Sequence, residues 1–181
     1  PLRGRRSVAG SAARPAAYPE PARRVRPGQC VTEKVPVLHE GTGSRVDTQT
    51  WDIRGDGAVE NPIIIDDAAR RGKPATGVNV DIHCVTTWSK YDCRWGGVAF
   101  TTLYELAQPK PEAKFVYFTG YDGYSTNVAL AACLDDDVLV ATSFDGAPIS
   151  LEHGGHARVI IPNLYAWKAS KLVSVIPLRA Q

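Results

Sequence analysis

The chain predicts a mixed, mainly β domain of the α+β class with a few short helices, and three observations carry that prediction. Apolar runs of strand length, such as Val138–Ala141 and Val159–Ile161, recur along the sequence between Gly, Asp and Pro turn residues. Only two or three stretches read as short helices. Strands and helices do not alternate in the regular manner of βαβ winding. With 181 residues and 44% hydrophobic composition, there is chain enough for one well-buried core and too little for two large ones.

Taken in order, Val35–Gly41 reads as an extended lead-in, and Thr50–Arg54 as a strand ending in a Gly55-Asp56-Gly57 turn and pairing with Val59 onward. Ile63–Ile65 runs into Asp66, whose carboxylate can cap a short helix beginning at Asp67. Val78–Val85 alternates as a strand that delivers Cys84 to its end. Thr101 or Thr102 can cap a helix over Leu103–Ala107, which Pro109 and Pro111 stop. Lys114–Thr119 is a strand, Gly120–Tyr124 a turn, and Val138–Thr142 a buried strand before the Asp145-Gly146 turn. Val159–Ile161 and Leu172–Ile176 complete the set.

Residues 1–28 carry seven arginines and one glutamate, so the net charge of +2 hides about +6 on this segment and about −4 on the remainder. Rich in Ala, Pro and Arg and without periodicity, the segment reads as a flexible basic arm ahead of a domain over 29–181. Its charge is read as solubilising in preference to binding nucleic acid. Arg5-Arg6 is not followed by an apolar signal core, and no apolar run approaches the ~20 residues that cross a bilayer. The expectation is a cytoplasmic protein without a membrane partner. The four cysteines are irregularly spaced, which does not read as a disulfide framework and leaves reduced thiols as the expectation. P-loop and dinucleotide-binding signatures are missing, as is a serine elbow.

Chemistry-bearing side chains concentrate in three loop regions: His83-Cys84 with Trp88-Ser89-Lys90, Thr119–Asn127, and His153-Gly154-Gly155-His156-Ala157-Arg158. Cys84 reads either as a buried small hydrophobe or as a soft thiolate ligand for a transition metal. A zinc site with His83, Cys93 and His153 is disfavoured, because a C-x8-C interval matches none of the usual spacings. The paired glycines between His153 and Arg158 permit close approach of a ligand, and Arg158, Lys168, Ser170 and Lys171 could together neutralise a phosphate. Asp135-Asp136-Asp137 reads as a solvated turn, and Tyr124 as a half-buried strand residue or a phenol donor.

Read together, DGAVENPIII, HCVTTWSKYDCRWGGV, FVYFTGYDGYSTNVAL and SFDGAPISLEHGGHARVIIPNLYAWKASKLV resemble the oxidoreductase molybdopterin-binding domain of the sulfite oxidase family, over roughly residues 27–178. The resemblance implies a sulfite-oxidase-type fold, a mononuclear molybdenum-molybdopterin cofactor with one pterin, and oxygen-atom transfer on a small oxyanion or sulfoxide. By the same resemblance Cys84 is the molybdenum ligand and Tyr124 an active-site tyrosine. His83, Cys84, Thr119, His153, Arg158, Ala169, Ser170 and Lys171 are the cofactor contacts. Where the family's motif has proline, this chain has His156, and the arginine-rich stretch that follows the metal cysteine in animal and plant sulfite oxidases is replaced by Val85-Thr86-Thr87-Trp88-Ser89-Lys90. The expected partners are a small-molecule substrate and an external electron donor or acceptor, with the chain a monomer. The alternative is a pterin-cofactor binding or carrier protein of the same fold without turnover.

Overall fold

The structure is a computed structural model and describes residues 24–37, 47 and 50–181. Most of the basic arm and the Leu38–Gly41 part of the lead-in lie outside the described residues. Two β-sheets form the body. The first contains β1 (Cys30–Val31), β4 (Thr76–His83), β5 (Trp88–Ala99), β8 (Leu139–Phe144), β9 (Ala147–Pro148) and β10 (Arg158–Ile160), and the second runs β3 (Ile63–Asp66), β2 (Asp52–Gly57), β11 (Val173–Arg179), β6 (Phe115–Gly120), β7 (Ser125–Ala129). Pairing is antiparallel except for β1 on β5 and β2 on β11. Two short helices, α1 (Asp67–Arg71) and α2 (Phe100–Ala107), and three 3-10 turns complete the described elements. The mainly β, α+β prediction agrees with this architecture.

The larger core joins both sheets. Ile53, Ile65, Val116, Phe118, Ile176 and Leu178 from the second sheet meet Val98, Val140 and Val159 from the first, with Phe100, Leu103 and Ala107 of α2 closing one end. Strand alternation places these residues on one face. A second apolar cluster lies within the first sheet around Val80, Ile82, Cys84, Trp88, Cys93, Trp95 and Ile160, and the functional cavity is built against it.

Several local expectations hold. Asp66 caps α1, its Oδ1 accepting from the Ala69 amide at 2.7 Å, and Asp67 pairs along the helix with Arg70 at 2.6 Å and with Arg71. Gly120–Tyr124 turns between β6 and β7, and Asp145-Gly146 between β8 and β9. Two expectations do not. Thr101 and Thr102 cap nothing: α2 begins directly off β5 at Phe100, whose amide donates to Val138 O at 2.9 Å, so the residue leading into β8 satisfies an otherwise orphaned donor. Gly55-Asp56-Gly57 is also no turn. It is the end of β2, held straight by parallel pairing with Ile176–Leu178.

The longest strand, β5, has 12 residues and carries a bulge. Val80 pairs with Cys93 but Ile82 with Lys90, so β5 has one residue more than β4 across that step, and Asp92 takes a left-handed φ of 55°. Trp88 and Trp95 are seven apart and would point to opposite faces of a regular strand. The extra residue restores them to one face, where both line the cavity.

Candidate functional site

Cys84 lies one residue beyond β4, in a tight turn that returns into β5. Its amide donates to Trp88 O at 2.9 Å, and its carbonyl accepts from the Thr87 amide at 3.1 Å. Thr87 adopts a φ of 69° to close the turn. The thiol is 4% exposed and accepts a hydrogen bond from Thr86 Oγ1 at 3.2 Å. It faces a cavity of about 510 Å³ whose walls include Ile82, Trp88, Trp95, Ile160 and Ile161, with Val85 and Trp167 also among the lining residues and exposed. That volume suits a cofactor-sized ligand.

Arg158, at the start of β10, reaches the same cavity from another strand. It is 5% exposed, donates from Nη1 to His153 O at 2.9 Å, and stands 5.4 Å over the Trp95 ring. Its Nε is buried without a hydrogen-bond partner, and it makes no ion pair among the described residues. Burial holds its guanidinium down at about 10. Lys171 also lines the cavity and donates to Glu152 O at 2.9 Å. Burial, and then the charge of Arg158, brings its amine down to about 8. A buried arginine that depresses a half-buried lysine across one cavity, with Asp122 the carboxylate in the lining, suits an anionic ligand. The indole Nε1 atoms of Trp88 and Trp95 add two buried donors without partners among the described residues.

The loop before β10 is shaped by close approach. Gly154 takes a φ of 94°, and a Cβ there would meet the Lys171 side chain at 2.8 Å. A Cβ on Gly155 would lie 2.0 Å from Ile149 O. The chain is thereby pressed against the Ser170–Leu172 segment, where Leu172 N donates to Gly154 O at 3.2 Å and Val159 N to Ser170 O at 3.0 Å. His156, in place of proline, turns away to α1: its Nε2 is 3.1 Å from Asp67 Oδ1 and its ring meets Trp51 edge-on at 4.7 Å.

Of the expected site residues, Cys84, Tyr124, Arg158, Ala169 and Lys171 line the one cavity. Tyr124 donates its hydroxyl to Trp167 O. The other four are not among the lining residues. His83 is buried with Nδ1 2.8 Å from Ser89 Oγ, and burial together with the charge of Arg26 keeps its ring below the ordinary imidazole range. His153 holds Arg158 through its carbonyl, Ser170 is fully buried, and Thr119 Oγ1 pairs with Ser125 Oγ at 3.2 Å. The Ala169 amide is spent on Ala166 O at 3.0 Å. Cys93 and Cys133 are pushed up to about 12 by burial and act as inert core thiols. Sequence reasoning missed Val35, Pro36, Trp95 and Trp167 in the lining, while Asp122 lay in the Thr119–Asn127 loop without being singled out. Only the two tryptophans had a signal, as large aromatics flanking the cysteine and the lysine-rich stretch.

Among the described residues, no group of three or more His, Cys, Asp or Glu could cage a metal. A metal at Cys84 therefore has to bring most of its donors with it. The residues fit a metal carried on an anionic organic cofactor: one soft cysteine sulfur, a buried arginine, a half-buried lysine and several unpartnered N–H groups of Trp88, Trp95 and Arg158 share a cavity of the right size.

Comparison with known proteins agrees with that chemistry. A family model described as the oxidoreductase molybdopterin binding domain matches residues 39–181. The uncharacterized oxidoreductase YuiH of Bacillus subtilis is 36% identical over 149 residues, covering 82% of this chain and 75% of that protein. The protein-methionine-sulfoxide reductase catalytic subunit MsrP of Campylobacter jejuni is 27% identical over 143 residues, covering 70% of this chain and 48% of that one. The sulfane dehydrogenase SoxCD of Paracoccus pantotrophus superposes with a TM-score of 0.70 at 18% identity, over 99% of this chain and 56% of that chain, a likeness of fold. The chain thus spans about half the length of the latter two.

Proposed function

Because the chain belongs to the oxidoreductase molybdopterin-binding domain family, we propose that it is a molybdenum-molybdopterin oxidoreductase that transfers an oxygen atom to or from a small oxyanion or sulfoxide, with Cys84 as metal ligand. The observation that carries the reading is the convergence of Cys84, Arg158 and Lys171 on one cavity in which the buried Arg158 guanidinium keeps an Nε without a hydrogen-bond partner.

When bound, the cofactor would supply a metal that changes oxidation state by two electrons as one oxygen atom is exchanged with substrate. The protein's residues divide the remaining work. Cys84 gives a soft sulfur to the metal, and the Thr86 hydroxyl, already hydrogen-bonded to that sulfur, restrains its electron donation. Arg158 and Lys171 receive the cofactor phosphate, the guanidinium with its unpartnered Nε. Trp88 and Trp95 offer N–H donors in an apolar wall that strengthens each of these interactions. Tyr124, anchored on Trp167 O, stands in the lining as the phenol that meets substrate. His83, Thr119, His153 and Ser170, outside the lining, are assigned supporting roles, His153 by holding Arg158 through its carbonyl. Electrons would leave or arrive through an external partner. Among the described residues no helix is long and apolar enough to cross a membrane.

The test is to make the chain in cells that synthesise the cofactor and measure bound molybdenum and pterin, then turnover with sulfoxide, sulfite and nitrate. Molybdenum with turnover of one of these supports the proposal. A full molybdenum load without any turnover indicates a carrier, and no molybdenum overturns the reading.

A further inference from the structure

Resting on the assignment of Cys84 as metal ligand, we propose that the segment Arg24–Pro36 is a working part of the cofactor site and that Gln29 is the positioning residue through which it holds Cys84. The family match begins at residue 39, so these residues lie ahead of it, yet they reach the metal turn directly. Gln29 Nε2 donates to Cys84 O at 2.9 Å. Its Oε1 accepts from Ser89 Oγ, and Ser89 Oγ lies 2.8 Å from His83 Nδ1. Ser89 is fully buried and His83 nearly so.

The hydrogen bonds fix one another's direction. A hydroxyl has one proton, so if Ser89 donates to Gln29 it must accept from His83, which places the imidazole proton on Nδ1. Flipping the Gln29 amide would set Oε1 against the Cys84 carbonyl, oxygen to oxygen. The chain His83, Ser89, Gln29, Cys84 therefore runs one way and ends on the backbone of the residue assigned to the metal. With the Thr87 amide on the same carbonyl and Thr86 on the sulfur, the turn is held from both sides.

The segment is itself anchored. Cys30 and Val31 pair with Trp88 and Ser89 of β5 as a parallel edge strand. Arg24 binds Asp81 at 2.7 Å and Asp92 at 2.9 Å, lying 4.4 Å over the Tyr91 ring. Arg26 stands 5.3 Å over Tyr165. Val35 and Pro36 then enter the cavity lining itself. Part of the basic arm is thus a strap fastened by its arginines to β4, β5 and the loop after β10.

The strap is tested on cofactor-free, full-length chain by iodoacetamide labelling, resolved by peptide mass spectrometry. Cys93 and Cys133, both fully buried, report global opening. Gln29→Glu keeps the shape and the acceptor but has no proton to give Cys84 O; Gln29→Ala removes both. Arg24→Ala releases an anchor that does not line the cavity. All three are expected to speed Cys84 labelling by about fivefold, the factor for one net hydrogen bond, with Cys93 and Cys133 unchanged. Unchanged Cys84 labelling in Gln29→Glu and Gln29→Ala overturns the proposal, and so does a parallel rise at all three thiols, which would mark a merely structural role. Lack of molybdenum in cofactor-loaded chain would sink the functional reading and leave this thiol result standing.

Discussion

Arg158→Met separates a cofactor contact from a structural residue. Burial holds the guanidinium at about 10 against an ordinary 12.5, so keeping its charge inside the cofactor-free chain costs roughly 3 kcal/mol at 1.36 kcal/mol per pH unit. Two contacts offset part of that cost: the bond to His153 O, about 1.5 kcal/mol for a charged donor, and the approach to Trp95, about 0.5 kcal/mol. Methionine keeps much of the apolar stem and removes the charge. The cofactor-free variant is therefore expected to match wild type or exceed it by about 1 kcal/mol, a rise of roughly 2–4 °C in a chain of this size. Cofactor binding should move oppositely, because each lost charge-assisted bond to phosphate is worth about 1.5–3 kcal/mol, some ten- to a hundredfold in affinity. The assay pairs thermal unfolding of cofactor-free protein with pterin content after gel filtration. A fall of more than about 5 °C together with unchanged pterin content would refute the reasoning and make Arg158 a residue of the fold.

Further outcomes are expected at Cys84, Lys171, Gly155 and Tyr124. Cys84→Ser should keep its melting temperature within a few degrees and retain pterin while turnover is lost; unchanged turnover would remove Cys84 from the metal. Lys171 should make cofactor uptake weaken as pH rises through about 8, since the cofactor-free site loses that charge there. Lys171→Arg should flatten the profile. The same lowered value means that the unfolded chain holds more protons between about pH 8 and the ordinary lysine range, so this group adds stability to cofactor-free protein as pH rises across that window. Gly155→Ala forces a Cβ toward Ile149 O and should cost about 2 kcal/mol, read as a melting temperature lower by roughly 4–8 °C with less bound pterin. Tyr124→Phe should lower turnover more than pterin content, and the reverse order would place Tyr124 with the cofactor.

What could be read from the sequence was what short-range chemistry decides. Asp66 announces its cap, Gly120–Tyr124 and Asp145-Gly146 announce their turns, and the apolar runs at Val138 and Val159 are strands because few other structures bury such short segments. β5 was unreadable because its Gly96-Gly97 pair and polar residues break the alternation, and its bulge hides that Trp88 and Trp95 share a face. Gly97 is needed there for close approach, since a Cβ would lie 2.1 Å from Val140 O. Thr101 and Thr102 suggested a cap that Val138 O made unnecessary, and Gly55–Gly57 suggested a turn that a distant parallel strand straightened. Both are outcomes of tertiary contacts that no local window contains.

The candidate site was legible unevenly. Cys84, Arg158 and Lys171 were raised by residue type and joined by resemblance, and the cavity gives that grouping a physical reason in a shared lining around the buried Arg158. Gln29 escaped because it adjoins a segment whose composition reads as an arm. Nothing in Pro27-Gly28-Gln29 signals that the amide will meet a carbonyl 55 residues away. The domain boundary drawn at residue 29 likewise separates Arg24 and Arg26 from the body they grip.

Cys84 is proposed to bind the metal of a molybdopterin cofactor in this cavity. X-ray absorption at the molybdenum edge tests it most directly, on wild type and Cys84→Ser made in cofactor-competent cells. Molybdenum is expected in both, with one fewer sulfur neighbour in the variant. The same sulfur count in both proteins, or no molybdenum in wild type, would contradict it.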